Sequence, residues 1–240
     1  MPDSHRSKNT SNNNAKNISK IKLHQRWSTS DSLLFKYGKL GLIAIEPGAL
    51  PRRDIPFTDY LIFPRPIIDS RAAAAHLWVE ARECPIFCVG DDLEAFQKAG
   101  FGSHKFNLID GYREISVEGG SISFYPAGRE KNIGIKGILS ELFEAWGLRP
   151  KKSFHVRLKT RNCPPTLFLA NPMIEALDAK LLTEEKPGRI VAMSGFPEAD
   201  WERAQKLFNQ PIEMAYQLIP KIAANPDFLS PEILVEESQV

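Results

Sequence analysis

Short apolar runs, each ended within a few residues by glycine, proline or aspartate, constrain most strongly how this chain can fold. Such runs are too short for membrane spans and are typical of buried strands separated by turns and helices. In the first half of the chain, the runs 32–37 and 40–45 predict a pair of hairpin strands, and 59–63 predicts a third strand. A helix over 70–83, a strand over 86–89 and a second helix that ends at Gly100 follow. This order of strands and helices indicates an α/β layered fold.

The second half continues with β-strands. Three short runs are divided by Asp110-Gly111 and Gly119-Gly120 and predict three antiparallel strands in a row, at 105–108, 113–117 and 121–125. The pattern of 133–146 fits either a strand or a helix. The remaining runs predict strands at 154–158 and 166–169, a helix at 173–182, a strand at 189–193 and an amphipathic helix at 198–208.

Composition predicts one soluble domain with a tail at each end. The 240 residues are 42% hydrophobic and 25% charged, which fits a single core. We expect a disordered basic Asn/Ser-rich tail over 1–20, one domain over 21–222 and an acidic extension over 223–240. The net charge of +2 excludes a surface that is basic throughout. Three cysteines and the lack of a signal peptide or apolar span predict a cytoplasmic protein that does not bind a membrane.

Several phrases, taken in order, resemble metallo-β-lactamase-fold hydrolases. The opening is similar to that family's strand and acid-Pro-Gly turn, and the middle is similar to its run of strands before a Pro-Ala-x-His phrase. A later phrase stands where the family has a strand followed by Gly-Asp. The similar segments are Ser32–Gly38, Ile43–Gly48, Ala99–Tyr112, Ile115–Ile122, Phe124–Arg129 and Thr166–Pro172, within about Leu23 to Tyr216.

The resemblance implies a four-layer αββα sandwich, with two mixed β-sheets face to face, helices outside and a metal site along one edge. The family's His-x-His-x-Asp-His motif should follow the strand 59–63, but this chain has Pro64-Arg65-Pro66-Ile67-Ile68-Asp69 there. Later ligand positions of the family carry Arg129, Asn171 and Ser194. Glu46 keeps an acid at the family's Asp-Pro-Gly position, which is not a metal ligand. We therefore expect lost metal ligands and no cofactor.

Other metal or nucleophile sites find less support in the sequence. None of the five histidines is paired at the spacing of a local metal site. Cys84 and Cys88 have a spacing that zinc accepts, but burial of both as small apolar side chains is the favoured alternative. Cys163 with His155 is a candidate catalytic pair by proximity in sequence only.

The candidate ligand-binding residues are those that the resemblance places on the edge: Arg65, Asp69, Tyr125, Arg129, Asn171 and Ser194. Two arginines in place of a metal ion would bind an anionic ligand through bidentate hydrogen bonds. The alternative is that each arginine lies on the surface or pairs with an acid such as Asp69 or Glu130. Asp69 has a second interpretation as part of a helix start.

Two further segments suggest surfaces. The alternation along 154–159 predicts a strand whose outer face presents His155, Arg157 and Lys159 to solvent, with nucleic-acid binding as the alternative. The apolar segment 212–222 is a candidate interface.

Two function classes compete. In the first, the chain is a non-catalytic binding or regulatory protein with an anion-binding edge, whose partner is an anionic small molecule or a protein. In the second, it hydrolyses an ester, lactone or phosphoester with atypical or metal-free residues. An unrelated α/β protein such as a small nuclease is a third interpretation.

Overall fold

The computed structural model describes residues 33–229 apart from 49, 68, 103–104, 128–152, 162, 173, 175, 194–195, 197 and 226–227. The strands are β1 Leu33–Lys36, β2 Leu42–Ile45, β3 Tyr60–Phe63, β4 Ile86–Val89, β5 Phe106–Ile109, β6 Arg113–Val117, β7 Gly120–Pro126, β8 Phe154–Thr160, β9 Cys163–Leu169, β10 Arg189–Ala192 and β11 Ile212–Met214. The helices are α1 Asp69–Ala81, α2 Gly90–Lys98, α3 Ala176–Thr183, α4 Glu198–Phe208 and α5 Ala215–Ala224. In this part of the chain no helix is long and apolar enough to cross a membrane.

These strands form two mixed sheets. Sheet A has the order β1-β2-β3-β4-β5, with the β1–β2 pair antiparallel and the others parallel. Sheet B has the order β11-β10-β9-β8-β7-β6, with β9, β10 and β11 parallel and the remaining pairs antiparallel. The hairpin predicted for the start of the chain is confirmed.

Three apolar clusters hold the layers together. The central cluster lies between the sheets and includes Phe35 of sheet A and Phe168 of sheet B, whose rings stack at 5.4 Å. A second cluster packs sheet A against α1 and α2, and a third packs sheet B against α3 and α4. Helices therefore lie outside both sheets, and the predicted four-layer αββα sandwich with two mixed β-sheets is confirmed.

The prediction of three consecutive antiparallel strands is wrong in its first member. β5 pairs in parallel with β4 in sheet A, whereas β6 and β7 form a hairpin in sheet B. The turn at Asp110-Gly111 therefore joins the two sheets. The cause is α2, which connects β4 to β5 as a crossover and so imposes parallel pairing.

The last part of the described chain packs in the core. The segment 212–222, a candidate interface, forms β11 and most of α5 instead, and Leu218 and Ile222 lie in the central cluster. Leu229 is also buried there, and its carbonyl accepts a hydrogen bond from Thr166 Oγ1 at 3.4 Å. Interior packing explains why 212–222 is apolar. The tail predicted over 1–20 and the segment 133–146 lie outside the described residues.

Candidate functional site

Several strands of both sheets end at one rim of the sandwich. The Phe154 N–H donates to the Pro64 carbonyl at 2.8 Å, which places the start of β8 beside the end of β3. The strand registers bring the ends of β2, β7, β9 and β10 to the same rim. We call this rim the carboxyl edge and define it by Glu46, Pro64, Ala127, Ala170 and Met193.

At the carboxyl edge, Arg65 is paired with Glu46. Arg65 Nε donates to Glu46 Oε1 at 2.7 Å, and Nη2 donates to Oε2 in a second contact. The side chains are only 10% and 2% exposed. The pair is therefore a bidentate, largely desolvated ion pair that joins the segment after β2 to the segment after β3.

Glu46 holds an unusual backbone conformation. Its φ is +45°, in the left-handed region that a residue with a Cβ rarely adopts. Its N–H donates to the Ile62 carbonyl at 3.0 Å, which fixes the turn beside β3. Such strain persists only where the surroundings over-determine it. Here the ion pair with Arg65 and the hydrogen bond to β3 supply that constraint.

The segment after β3 has two further anchors. Besides the contact of Pro64 with Phe154, the Ile67 N–H donates to Asp92 Oδ1 at 2.9 Å. Asp92 is buried on α2, so this bond ties the segment to the outer helix layer. Internal contacts therefore hold the segment where the resemblance expects metal ligands.

The segment 64–69 offers one side chain of a metal-ligating type, the carboxylate of Asp69. Proline and isoleucine side chains offer no lone pair, and a guanidinium is a cation with no acceptor. Within the residues that the structure describes, no group of three or more His, Cys, Asp or Glu side chains is placed to hold a metal.

Tyr125 lies on the outer face of sheet B. Its ring contacts Tyr112 at 5.1 Å and lies under the Arg157 guanidinium at 5.0 Å. Burial raises its pKa to about 12, so the phenol stays protonated at neutral pH. Tyr125 and the Arg65–Glu46 pair therefore belong to different sheets, because the pair lies at the ends of strands of sheet A. Tyr125 is therefore a neutral hydrogen-bonding group set in an aromatic and cationic surrounding.

The other candidate residues are placed as follows. Asn171 lies two residues beyond the end of β9 and is half-buried. Asp69 is the first residue of α1, which agrees with its interpretation as part of a helix start. Arg129 and Ser194 lie outside the described residues. Glu46 is an acid that pairs with Arg65, whereas only Asp69 and Glu130 are considered from the sequence.

The prediction that β8 presents a solvated basic face is wrong. His155 and Arg157 are buried, and Lys159 is half-buried with its ammonium 2.8 Å from Glu185 Oε1. The outer face of β8 is covered by other parts of the chain, because Arg157 lies over the Tyr125 ring and His155 contacts the Ala170 N–H. The sequence alternation marks the two faces correctly but carries no signal for what covers the outer one.

Buried His155 accepts a hydrogen bond at Nδ1 from the Ala170 N–H at 3.1 Å. Burial lowers its pKa to about 3, so the imidazole is neutral near pH 7. Its separation from Cys163 removes the proposed catalytic pair, because Cys163 lies at the opposite end of the β8–β9 ladder. His155 therefore braces the carboxyl edge through the backbone after β9.

The low pKa of His155 predicts a pH-dependent stability. The unfolded chain takes up a proton near pH 6.5, and the folded chain only near pH 3, so stability falls as pH drops through this window. Between pH 6.5 and 5 the contribution approaches about 1.4 kcal/mol per pH unit. Urea unfolding measures it, and His155→Asn, which keeps an acceptor for Ala170, should reduce the slope. Equal slopes in both proteins would contradict the assignment.

Cys84 and Cys88 are covered by the surrounding chain. Cys88 is buried and Cys84 is half-buried, and burial raises the pKa of Cys88 to about 12 and raises that of Cys84 as well. These surroundings fit the interpretation of both as small apolar side chains. Cys84 Sγ lies 3.7 Å from Thr58 Oγ1.

Comparison with known proteins identifies similar folds. No protein-family model matches the chain, and no curated protein matches it. An isothiocyanate hydrolase from Delia radicum gut bacteria superposes with a TM-score of 0.57 at 13% identity, over 79% of this chain and 83% of that chain. The metallo-beta-lactamase fold protein YhfI from Bacillus subtilis has a TM-score of 0.44 at 13% identity, over 78% and 88%. A possible metal-dependent hydrolase from Veillonella parvula has a TM-score of 0.44 at 9% identity, over 76% and 95%.

The likeness to the isothiocyanate hydrolase is one of fold. The two share an α/β arrangement, which in this chain consists of two mixed sheets with helices outside. At this identity the comparison assigns no substrate or ligand to this chain.

Proposed function

We propose that this chain is a non-catalytic binding protein of metallo-β-lactamase-type fold, whose carboxyl edge is held by an ion pair in place of a metal ion. The observation that carries the proposal is the bidentate contact of Arg65 with Glu46, in a segment where Asp69 alone has a side chain of a metal-ligating type. A metal in this kind of site both cross-links the segments around it and supplies the reactive centre. The ion pair can replace only the cross-link.

The chemistry of the surrounding groups supports the same proposal. A hydrolase needs a group that activates water, such as a poised base or a metal. His155 is neutral, but its Nδ1 is engaged with the Ala170 N–H. Tyr125 is protonated at neutral pH. Neither side chain is therefore arranged as a general base.

The partner we propose is an anionic small molecule or an acidic protein surface at the carboxyl edge. Because the charge of Arg65 is matched by Glu46, an anion must compete with that carboxylate for the guanidinium. Arg129 would then supply the second cation, as the sequence resemblance suggests. Nucleic acid is a weaker candidate, since Arg157 and His155 are buried.

An activity assay tests the non-catalytic role. The full chain, loaded separately with Zn²⁺, Mn²⁺ and Fe²⁺, is incubated with an ester, a lactone, a phosphodiester and an isothiocyanate. We include the isothiocyanate because a protein of similar fold is an isothiocyanate hydrolase. We expect no hydrolysis above the uncatalysed rate for any combination.

A matched variant separates true activity from contamination. Asn171→Ala changes a side chain at the carboxyl edge, while Arg203→Ala changes an exposed side chain on α4. Turnover that Asn171→Ala abolishes and Arg203→Ala leaves intact would overturn the proposal in favour of a hydrolase.

A further inference from the structure

The rim opposite the carboxyl edge contains a cavity that the proposed function does not use. Three turns meet there: the 3-10 turn Gly38–Leu40, the β6–β7 turn at Glu118-Gly119 and the β8–β9 turn at Arg161. The cavity has a volume of about 660 Å³ and is lined by residues of all three turns. Ligand sites typically have volumes of about 300–1,000 Å³.

The β6–β7 turn is packed closely on the 3-10 turn. Gly119 has a φ of +88°, and a Cβ added to it would lie 2.4 Å from Lys39 Cβ. Only glycine fits both this backbone conformation and this close approach. The two turns are therefore held in fixed relative positions, which pre-forms the wall of the cavity.

The polar groups of the cavity indicate the charge of its ligand. Lys39 and Arg161 line it, are exposed, and have no ion-pair partner among the described residues. Glu118 is the acid of the lining, so the two cations leave a net positive charge. An anion is the ligand that such a lining favours.

A buried hydroxyl supplies an independent sign of a ligand. Thr160 also lines the cavity and is 6% exposed, yet its Oγ1 has no hydrogen-bond partner in the described part of the chain. Buried polar groups without partners are rare, because such groups are usually satisfied by protein, water or a bound ligand. A bound anion would accept the hydrogen bond from this hydroxyl.

We propose that this cavity binds a hydroxylated phosphate monoester. Arg161 and Lys39 would bind the phosphate, because a guanidinium donates bidentately to its oxygens and an ammonium adds a second charge. Thr160 Oγ1 would donate to the same group. The Glu118 carboxylate would accept a hydrogen bond from a hydroxyl of the ester. This role explains why a site for an anion contains an acid.

Calorimetric titration of the full chain with glycerol 3-phosphate and with inorganic phosphate tests this site. The variants are Lys39→Gln and Arg161→Gln, with Lys98→Gln and Arg203→Gln as controls on exposed helix positions. We expect each site variant to weaken ester binding about tenfold or more, as loss of a charge-assisted hydrogen bond implies. The controls should stay within about twofold, because exposed distant charges are screened.

Two further variants separate binding from folding. Thr160→Val keeps the shape of the side chain and should weaken binding while leaving the Tm equal or higher, since it removes an unpaired buried hydroxyl. Glu118→Gln should abolish the preference for the ester over inorganic phosphate.

Three results would overturn the proposal. The first is that neither glycerol 3-phosphate nor inorganic phosphate binds at concentrations up to about 10 mM, which would mean that any affinity is weaker than millimolar. The second is equal loss of binding in site variants and controls, which would indicate nonspecific attraction. The third is equal affinity of the wild type for the ester and inorganic phosphate, which would exclude a role for Glu118.

Discussion

Replacing Arg65 with alanine is expected to lower the free energy of unfolding by about 3–5 kcal/mol, the usual cost of removing one partner of a buried ion pair. Glu46 is 2% exposed in its side chain and would keep a carboxylate without its guanidinium partner. The substitution also removes the link between the segments after β2 and β3. Urea unfolding followed by circular dichroism measures the change.

Arg52→Ala is the matched control for this prediction. Arg52 pairs with Glu80 at 2.9 Å, but the side chains are 62% and 49% exposed, so its loss should cost less than about 1 kcal/mol. The double variant Glu46→Gln with Arg65→Met should recover part of the loss, because neither buried charge remains. An Arg65→Ala protein no less stable than Arg52→Ala would contradict the buried pair.

Phe35→Ala should produce a loss of similar size for a different reason. Phe35 is fully buried on β1, and its ring stacks on Phe168 of β9 between the two sheets. Truncating a buried phenylalanine leaves a cavity and costs about 3–5 kcal/mol. The measured quantity is again the free energy of unfolding in urea.

Phe57→Ala provides the comparison, because Phe57 is 63% exposed. Its truncation should change stability by about 0.5 kcal/mol or less, as is usual for surface positions. If both phenylalanine variants lost the same stability, the stacking of β1 on β9 would not be the contact that holds the sheets together.

Most elements of the fold could be predicted from local sequence signals. Pro64 ends β3, and Gly119 permits the β6–β7 hairpin, so both boundaries follow from backbone chemistry. The assignment of β5 to a sheet could not be predicted in this way. A turn such as Asp110-Gly111 is compatible with either a hairpin or a link between sheets, and the long-range pairing with β4 decides between them.

The candidate site was less predictable. The sequence resemblance places Arg65 on an edge of the sandwich, but it does not identify the partner Glu46, which meets Arg65 because β2 and β3 are adjacent and parallel. The positive φ of Glu46 leaves no trace in residue type, since glutamate rarely adopts it. His155 was likewise misassigned, because alternation along a strand shows two faces but not which layers cover them.

Metal content decides whether an ion pair or a metal ion holds the carboxyl edge. The measurement is elemental mass spectrometry on untagged protein, both as purified and after incubation with Zn²⁺ and removal of excess. We expect less than about a tenth of an equivalent of zinc, iron or manganese in both samples, because Asp69 alone in the segment after β3 has a ligating side chain, and a metal site needs several. One or two tightly bound equivalents, lost on substitution at the carboxyl edge, would contradict this expectation.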